Sequence, residues 1–406
     1  QNLPNNSSVT LINTNVMRDG TATDANVTGL VFDIHDKTNK YAVRGSGGFS
    51  QRFTSGNNDT GHRANVRVEK ISGAWQYMLG YAEESDTYNP NDLGILFNNN
   101  ERTYNTRVRY NRFKPFLNGF FLSGGAGAYA HHQRLYADNK FTGNNLEVWV
   151  YSQTKHFWNL NFWSDNDIGT QYDYFEPRVS GRVLQISPSS NLGGWIGTDN
   201  RKKIRMSFNF NLDRFWDDDL RANSRFNVNL RYRASDRLSV STYMYRGFFD
   251  GDLGYVNQEE STVIHPITEV PSEVTDVFIG RRDNNEMEVG LEGKYSFSAN
   301  MSLNLRVRHY WARVNYSDFY LLEEAGTLGS TDYLDNHNVD YDAFNVDLIY
   351  RWRFAPGSDL FVVYKTNASD FSDQTRHDYV GNFRQLWEEG PSNHSRISRI
   401  SANGDC

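Results

Sequence analysis

The 406-residue sequence contains one cysteine, Cys406 at its end, and only 9 prolines. A single cysteine excludes a disulfide framework and a cysteine-based zinc site. A mean hydropathy of −0.69 and the lack of any long apolar run exclude a bundle of membrane-spanning helices. Helical periodicity is scarce throughout. The signatures G-x-S-x-G, H-E-x-x-H and G-x-x-x-x-G-K-[ST] are missing, so no catalytic centre is expected from motifs. Basic charge is in deficit, with 42 Lys and Arg against 49 Asp and Glu, which argues against a general nucleic-acid binder. There is no starting Met and no signal peptide, and Gln1 opens on polar residues, as expected of a mature product or a fragment.

What is present in quantity is aromatic: 26 Phe, 24 Tyr and 9 Trp. A disordered chain would lack this apolar surface. The rings fall into period-two alternation, the mark of β-strands whose successive side chains point to opposite faces. Ile204, Met206, Phe208, Phe210 and Leu212 share one face, while Lys203, Arg205, Ser207, Asn209, Asn211 and Asp213 share the other. The pattern recurs around Phe226–Arg233, Met287–Phe297, Leu303–Arg308 and Phe344–Phe354.

A soluble sandwich or propeller could alternate likewise, but the connections take turns in length along the chain. Short ones fall near 37–39, 72–74, 113–117, 155–157, 187–192, 234–237, 298–300 and 355–358. Mostly longer, polar ones fall near 18–26, 54–62, 85–101, 135–144, 164–175, 214–224, 248–285, 314–342 and 367–393. Short turns at one end and long loops at the other predict an all-β fold, a large antiparallel transmembrane β-barrel of about 18 strands. The strands are long enough, since a tilted strand needs about 9–11 residues to cross the apolar layer. This tracing takes Gly193–Asp213 as one strand with an irregularity near Asn200 and Arg201. Trp75, Tyr77, Trp158, Phe162, Trp163, Phe215, Trp216, Tyr310 and Trp311 are candidates for interfacial aromatic girdles.

Seven separated stretches stand in an order that resembles a known family: Tyr88–Gly94, Tyr110–Phe116, Asp173–Arg178, Arg201–Lys203, Gly280–Asp283, Arg308–Trp311 and Tyr350–Ser358. Together they resemble an uncharacterised family of outer-membrane β-barrel domains common in Bacteroidota. The resemblance implies a barrel that follows a domain similar to family-nine carbohydrate-binding modules, and a chain that is the later part of such a protein, with the first strands preceding residue 1. It divides the chain into a barrel domain at 1–394 and an atypical carboxyl end at 395–406, where the isoleucines are three apart and the terminal aromatic of such barrels is missing.

Other constellations carry less. Gly125, Gly127 and Ala130 fit a loose dinucleotide fingerprint but lead into no helix, so they read better as room on a crowded wall. His131 and His132 are adjacent and would point apart on a strand. Asp165, Asp167, Asp173 and Glu176 occupy positions 1, 3, 9 and 12 of a calcium-loop frame, the one metal candidate. Asp217–Asp219 with Asp250, Asp252, Glu259 and Glu260 could supply paired carboxylates for glycoside hydrolysis.

The main functional signal is electrostatic. The inward face is expected to carry Arg107, Arg109, Lys203, Arg205, Arg231, Arg233, Arg306, Arg308, Arg351 and Arg353 against Glu288, Glu292 and Asp347. Such a lumen would favour anionic solutes, or the arginines would serve wall-to-wall ion pairs. The expected protein is therefore a non-enzymatic outer-membrane pore, a membrane anchor for a sugar-binding-like domain, or a subunit of a larger outer-membrane complex. It would need no cofactor. Its partners would be the lipid bilayer, lipopolysaccharide, other outer-membrane proteins, and an oligosaccharide or anionic solute. A soluble or surface carbohydrate-active enzyme with a β-sandwich is the alternative.

Overall fold

The computed structural model describes residues 1–54, 57–264, 271–373, 378–388 and 393–403. The all-β expectation holds: strands make up 70% of the chain and helix 2%. The early strands are β1 (Asn2–Leu3), β2 (Ser7–Val16), β3 (Asp24–His35), β4 (Tyr41–Thr54), β5 (Asn57–Lys70), β6 (Trp75–Glu84), β7 (Glu101–Arg112), β8 (Phe121–Leu135) and β9 (Phe141–Thr154). Next come β10 (Asn159–Asp167), β11 (Gln171–Asp173), β12 (Leu184–Ile186), β13 (Ser189–Gly197), β14 (Ile204–Phe215) and β15 (Ala222–Arg233). The remainder are β16 (Leu238–Ile264), β17 (Pro271–Ser298), β18 (Met301–Leu322), β19 (Leu328–Gly329), β20 (Val339–Ala355), β21 (Ser358–Ser372), the helix α1 (Tyr379–Glu388) and β22 (Asn393–Asn403).

Two compact units result, Gln1–Ser152 with Trp163–Ser190, and Gln153–Phe162 with Asn191–Cys406. In the first unit β2 to β8 pair in sequence order, each antiparallel to the next. In the second unit β14 to β18 do the same, followed by β20, β21 and β22. The carboxyl segment expected to be atypical therefore continues the sheet by backbone pairing, from Ser369↔Asn393 to Asp359↔Asn403. Cys406 lies outside the described residues.

Residues directly opposite on paired strands share a face. In the first unit Val66, Leu79 and Val68 stand on one face with Tyr77 and Val108, and this face is the bare one: Leu79 is 67% exposed. In the second unit Ile204, Met206, Phe208, Tyr232, Met244 and Leu291 form the corresponding face, with Met206 48% exposed. In each unit much of the apolar strand face is thus exposed while many polar side chains on the other face contact one another, the inverse of the pattern in a water-soluble domain.

The short connections are made by local hydrogen bonds. At 36–40 the carboxylate of Asp36 accepts from the amides of Thr38 (3.0 Å), Lys40 (2.7 Å) and Tyr41 (2.8 Å), which holds Asn39 at φ 51°. The Thr38 hydroxyl, which also donates to this carboxylate, and then these amides favour the charged form and press its pKa well below the usual range. At 356–357 the reversal between β20 and β21 uses Gly357 at φ 76°, a region open to glycine.

The connections differ from the sequence expectation at four places. Gly193–Asp213 is not one strand: β13 and β14 are joined by a turn at 198–203, with Thr198 N donating to Met206 O (2.9 Å). Asp199 makes the turn, because its carboxylate accepts from Arg201 N (3.0 Å), Nε (2.9 Å) and Nη2 (2.9 Å). Those bonds lower its pKa to about 2. Correspondingly, 187–192 is not a short turn, since β13 begins at Ser189. The long loops expected at 54–62 and 248–285 are largely strand. β16 and β17 keep pairing from Leu238↔Tyr295 to Ile264↔Pro271, past two register shifts.

Candidate functional site

The polar face of the second unit is built in rows, because each antiparallel register sets one side chain per strand at the same level. One row reads Arg205, Arg231, Ser241, Glu292, Arg306, Asp347, Lys365 across β14, β15, β16, β17, β18, β20 and β21. Arg306 Nε donates to Glu292 Oε1 at 2.8 Å, and Lys365 Nζ lies 3.4 Å from Asp347 Oδ1. Toward the short turns the next row begins with Lys203, whose carbonyl accepts from Arg233 N (2.7 Å), and continues through Ser239, Lys294 and Asn304. In the opposite direction come Ser207, Asn229, Tyr243, Gly290, Arg308 and Asn345, and then Asn209, Asn227, Tyr245, Glu288 and Tyr310. Cationic character is therefore concentrated near the short turns and gives way to neutral and acidic side chains farther along the strands.

Two adjoining cavities open on this face. One of about 530 Å³ is lined by Lys294, Arg306, Asp347 and Lys365, and one of about 390 Å³ by Arg205, Arg231, Ser207, Asn229 and Tyr243. Ser241 and Glu292 border both.

The sequence-derived cations divide by what they touch. Arg351 gives Nε and Nη2 to the two oxygens of Asp359 (3.1 and 3.0 Å), and Arg353 reaches the same carboxylate at 3.3 Å. With Arg306 they belong to wall-to-wall pairs. Arg231 donates to Asn200 O at 3.3 Å. Lys203, Arg205, Arg233 and Arg308 have no carboxylate within ion-pair distance among the described residues. Arg107 and Arg109 lie on the first unit. Arg107 Nη2 meets Glu69 Oε2 at 3.2 Å, and Arg109 lies over the Tyr151 ring and donates to its hydroxyl at 3.0 Å. Glu69 was not anticipated, yet Arg67 (2.7 Å) and Arg44 (3.4 Å) also converge on it. Lys365 was missed because β21 alternates poorly, Phe361 and Val363 sharing its side.

The calcium frame does not assemble. Asp165 and Asp167 lie on β10, where Asn145 Nδ2 bridges them (2.5 and 3.0 Å) and Ser189 binds Asp167 (2.8 Å). Asp173 instead accepts from the amides of Phe175 (2.8 Å) and Glu176 (2.9 Å). Among the described residues no group of three or more His, Cys, Asp and Glu is placed to hold a metal ion. His132 is taken up by Asn144 and Arg134, at 2.8 and 2.9 Å. The glycines near it make room: a Cβ on Gly127 would stand 2.2 Å from the Trp149 ring. Of the carboxylates weighed for hydrolysis, Asp218 pairs with Arg281 (3.0 Å) and Asp252 with Arg221 (2.6 Å). Of the girdle candidates, Tyr310 belongs to the polar face beside Glu288, and Trp311 is buried beneath α1.

These features belong to a chain of long antiparallel strands with one bare apolar face and one charged, hydrogen-bonded face. Residues 1–399 match the domain of unknown function DUF5916, and the chain belongs to that family. No curated protein matches it. Among solved structures it is similar to the ferric enterobactin receptor PfeA of Pseudomonas aeruginosa in complex with BCV-L6, at 8% identity over 98% of this chain and 72% of the receptor, TM-score 0.44. It is also similar to the siderophore receptor PirA from Acinetobacter baumannii, at 7% identity over 88% and 76%, TM-score 0.37. A third is OmpT of Vibrio cholerae, at 12% identity over 98% and 94%, TM-score 0.27.

Proposed function

We propose that the chain is the membrane-embedded β-barrel of a Gram-negative outer-membrane protein and forms a non-enzymatic, water-filled passage that prefers anionic solutes. One observation carries the reading: the apolar strand faces are largely exposed, while the opposite faces carry the charged and hydrogen-bonding side chains. In water this arrangement would leave a large apolar surface unsolvated; against lipid it is the stable one. A bilayer also forbids unpaired strand edges, so the strands must close on themselves there. Tyr295, Phe297, Tyr350, Trp352 and Phe354 cluster at the short-turn end, where an interfacial belt belongs.

The excess of cations near the short turns supports the preference for anions, since charged rings set pore selectivity. The ion pairs of Asp218 and Asp252 speak for structural loop carboxylates. In this reading lipid and lipopolysaccharide contact the apolar face. The resemblance to Bacteroidota barrels further suggests a preceding sugar-binding-like domain, with other outer-membrane proteins as neighbours. The test is heat-dependent gel mobility of the detergent-extracted protein: a barrel migrates faster unboiled. A protein that is monodisperse without detergent refutes the reading and favours the soluble carbohydrate-active alternative.

A further inference from the structure

We propose that Lys203, at the end of the 198–203 turn, Arg205 on β14, and Arg231 and Arg233 on β15 form a binding site for a multiply charged oxyanion of the phosphate or sulfate type. The register sets Arg205 directly opposite Arg231, and the Arg233 amide bond to the Lys203 carbonyl sets that pair one row away. Opposed residues have Cβ atoms roughly 5 Å apart, and rows on one face are about 7 Å apart. Four cationic residues therefore occupy two adjoining rows, within the span of one polyanion.

Like charges directly opposed on a sheet are destabilising. The same hairpin avoids them farther along, where Ser207 faces Asn229 and Asn209 faces Asn227. The nearby acids do not neutralise the patch: Glu292 is engaged by Arg306 at 2.8 Å, Asp347 by Lys365 at 3.4 Å, and Asp199 by Arg201 at 2.9 Å. The adjoining cavity of about 390 Å³ adds the neutral donors Ser207, Asn229 and Ser241 beside the two guanidinium groups, and the one carboxylate on its lining, Glu292, is paired with Arg306 at 2.8 Å. Arg231 is held by Asn200 O at 3.3 Å, which leaves its remaining N–H groups to present a fork to an oxyanion.

The site deepens the proposed function, because it rests on that polar face being wet. The test uses the full chain folded in detergent, with folding confirmed by heat-dependent mobility, and calorimetric titration with inorganic pyrophosphate at low ionic strength. Binding is expected, weakened about tenfold or more by Arg205→Gln with Arg231→Gln. Replacing both by Lys should keep part of the affinity, and Lys37→Gln, which removes an exposed charge on the 36–40 turn of the first unit, should change nothing. If the double variant does not fold, Arg205→Gln and Arg231→Gln are read singly and each must weaken binding. A folded wild type that gives no binding, or variants with unchanged affinity, overturn the site. Binding without channel conductance would overturn the passage and leave the site; conductance without binding would do the reverse.

Discussion

Arg107 on β7 reaches across β6 to place its Nη2 3.2 Å from Oε2 of Glu69 on β5. Glu69 is only 5% exposed and also receives Arg44 and Arg67, so one carboxylate holds three cations on the polar face. Glu69→Gln leaves Arg67 and Arg107 without that counter-charge, while Arg44 keeps Asp33 at 2.8 Å. A loss of about 1–3 kcal/mol is expected in urea unfolding of the lipid-reconstituted protein.

The two faces of β14 should respond oppositely to the same substitution. Met206→Arg puts a charge on the bare apolar face and should cost about 2–4 kcal/mol if that face meets the bilayer interior. Ser207→Arg, one residue on, should be tolerated. Folding yield into vesicles compares them, and equal tolerance would contradict a lipid-facing Met206.

Channel selectivity should depend on which arginines are free. Arg205→Gln with Arg231→Gln should shift the reversal potential in a salt gradient toward cation preference. Arg351→Gln with Arg353→Gln should shift it less, since both already share Asp359.

Gly127→Ala asks β8 to admit a methyl group 2.2 Å from the Trp149 ring. The ring must move or the strand must shift. A destabilisation of about 1–3 kcal/mol is expected, read by the same urea titration.

The helix α1 rests on the second unit through Tyr379 and Phe383, whose rings lie 4.5 and 4.7 Å from that of His309. His309 pairs with Asp342 at 2.6 Å, and Asn382 hydrogen-bonds Asp340. Burial, helped by the Asp342 carboxylate, pushes the Tyr379 hydroxyl up to about 12 from an ordinary 10. The neutral phenol is thus favoured in the docked state, so docking stability is complete below pH 10 and falls as the pH rises from about 10 to about 12. Protease cleavage of the segment around α1 should increase over that interval, and Tyr379→Phe should abolish the increase.

Much of the architecture was legible because strand periodicity is local. Ile204 to Leu212 alternate in the sequence as they alternate in space, and the turns at 72–74, 234–237 and 298–300 fall where the polar residues interrupt the pattern. The turn at 198–203 was hidden because it uses neither Gly nor Pro and is closed by the Asp199 side chain, whose hydrogen bonds no alternation rule reports. The extension of β16 and β17 was hidden for a related reason. Their outer residues mix polar and apolar types without sustained alternation, and they remain strands because each supplies the other's backbone partners.

The ten candidate cations were all readable as one face. Their roles were not. Sequence parity puts Arg205 and Arg306 in the same class, and by itself it determined an all-β chain with segregated apolar and polar faces, since each strand residue has only two sides to occupy. Register is a property of pairs of strands, set by which residues of distant segments come level. That level is what gave Arg306 the carboxylate of Glu292 and Arg353 that of Asp359, placed Glu69 among three arginines, and left Arg205 facing Arg231. Only the tertiary structure decided it, because a one-residue slip between neighbouring strands would have exchanged every partner without altering a single side chain.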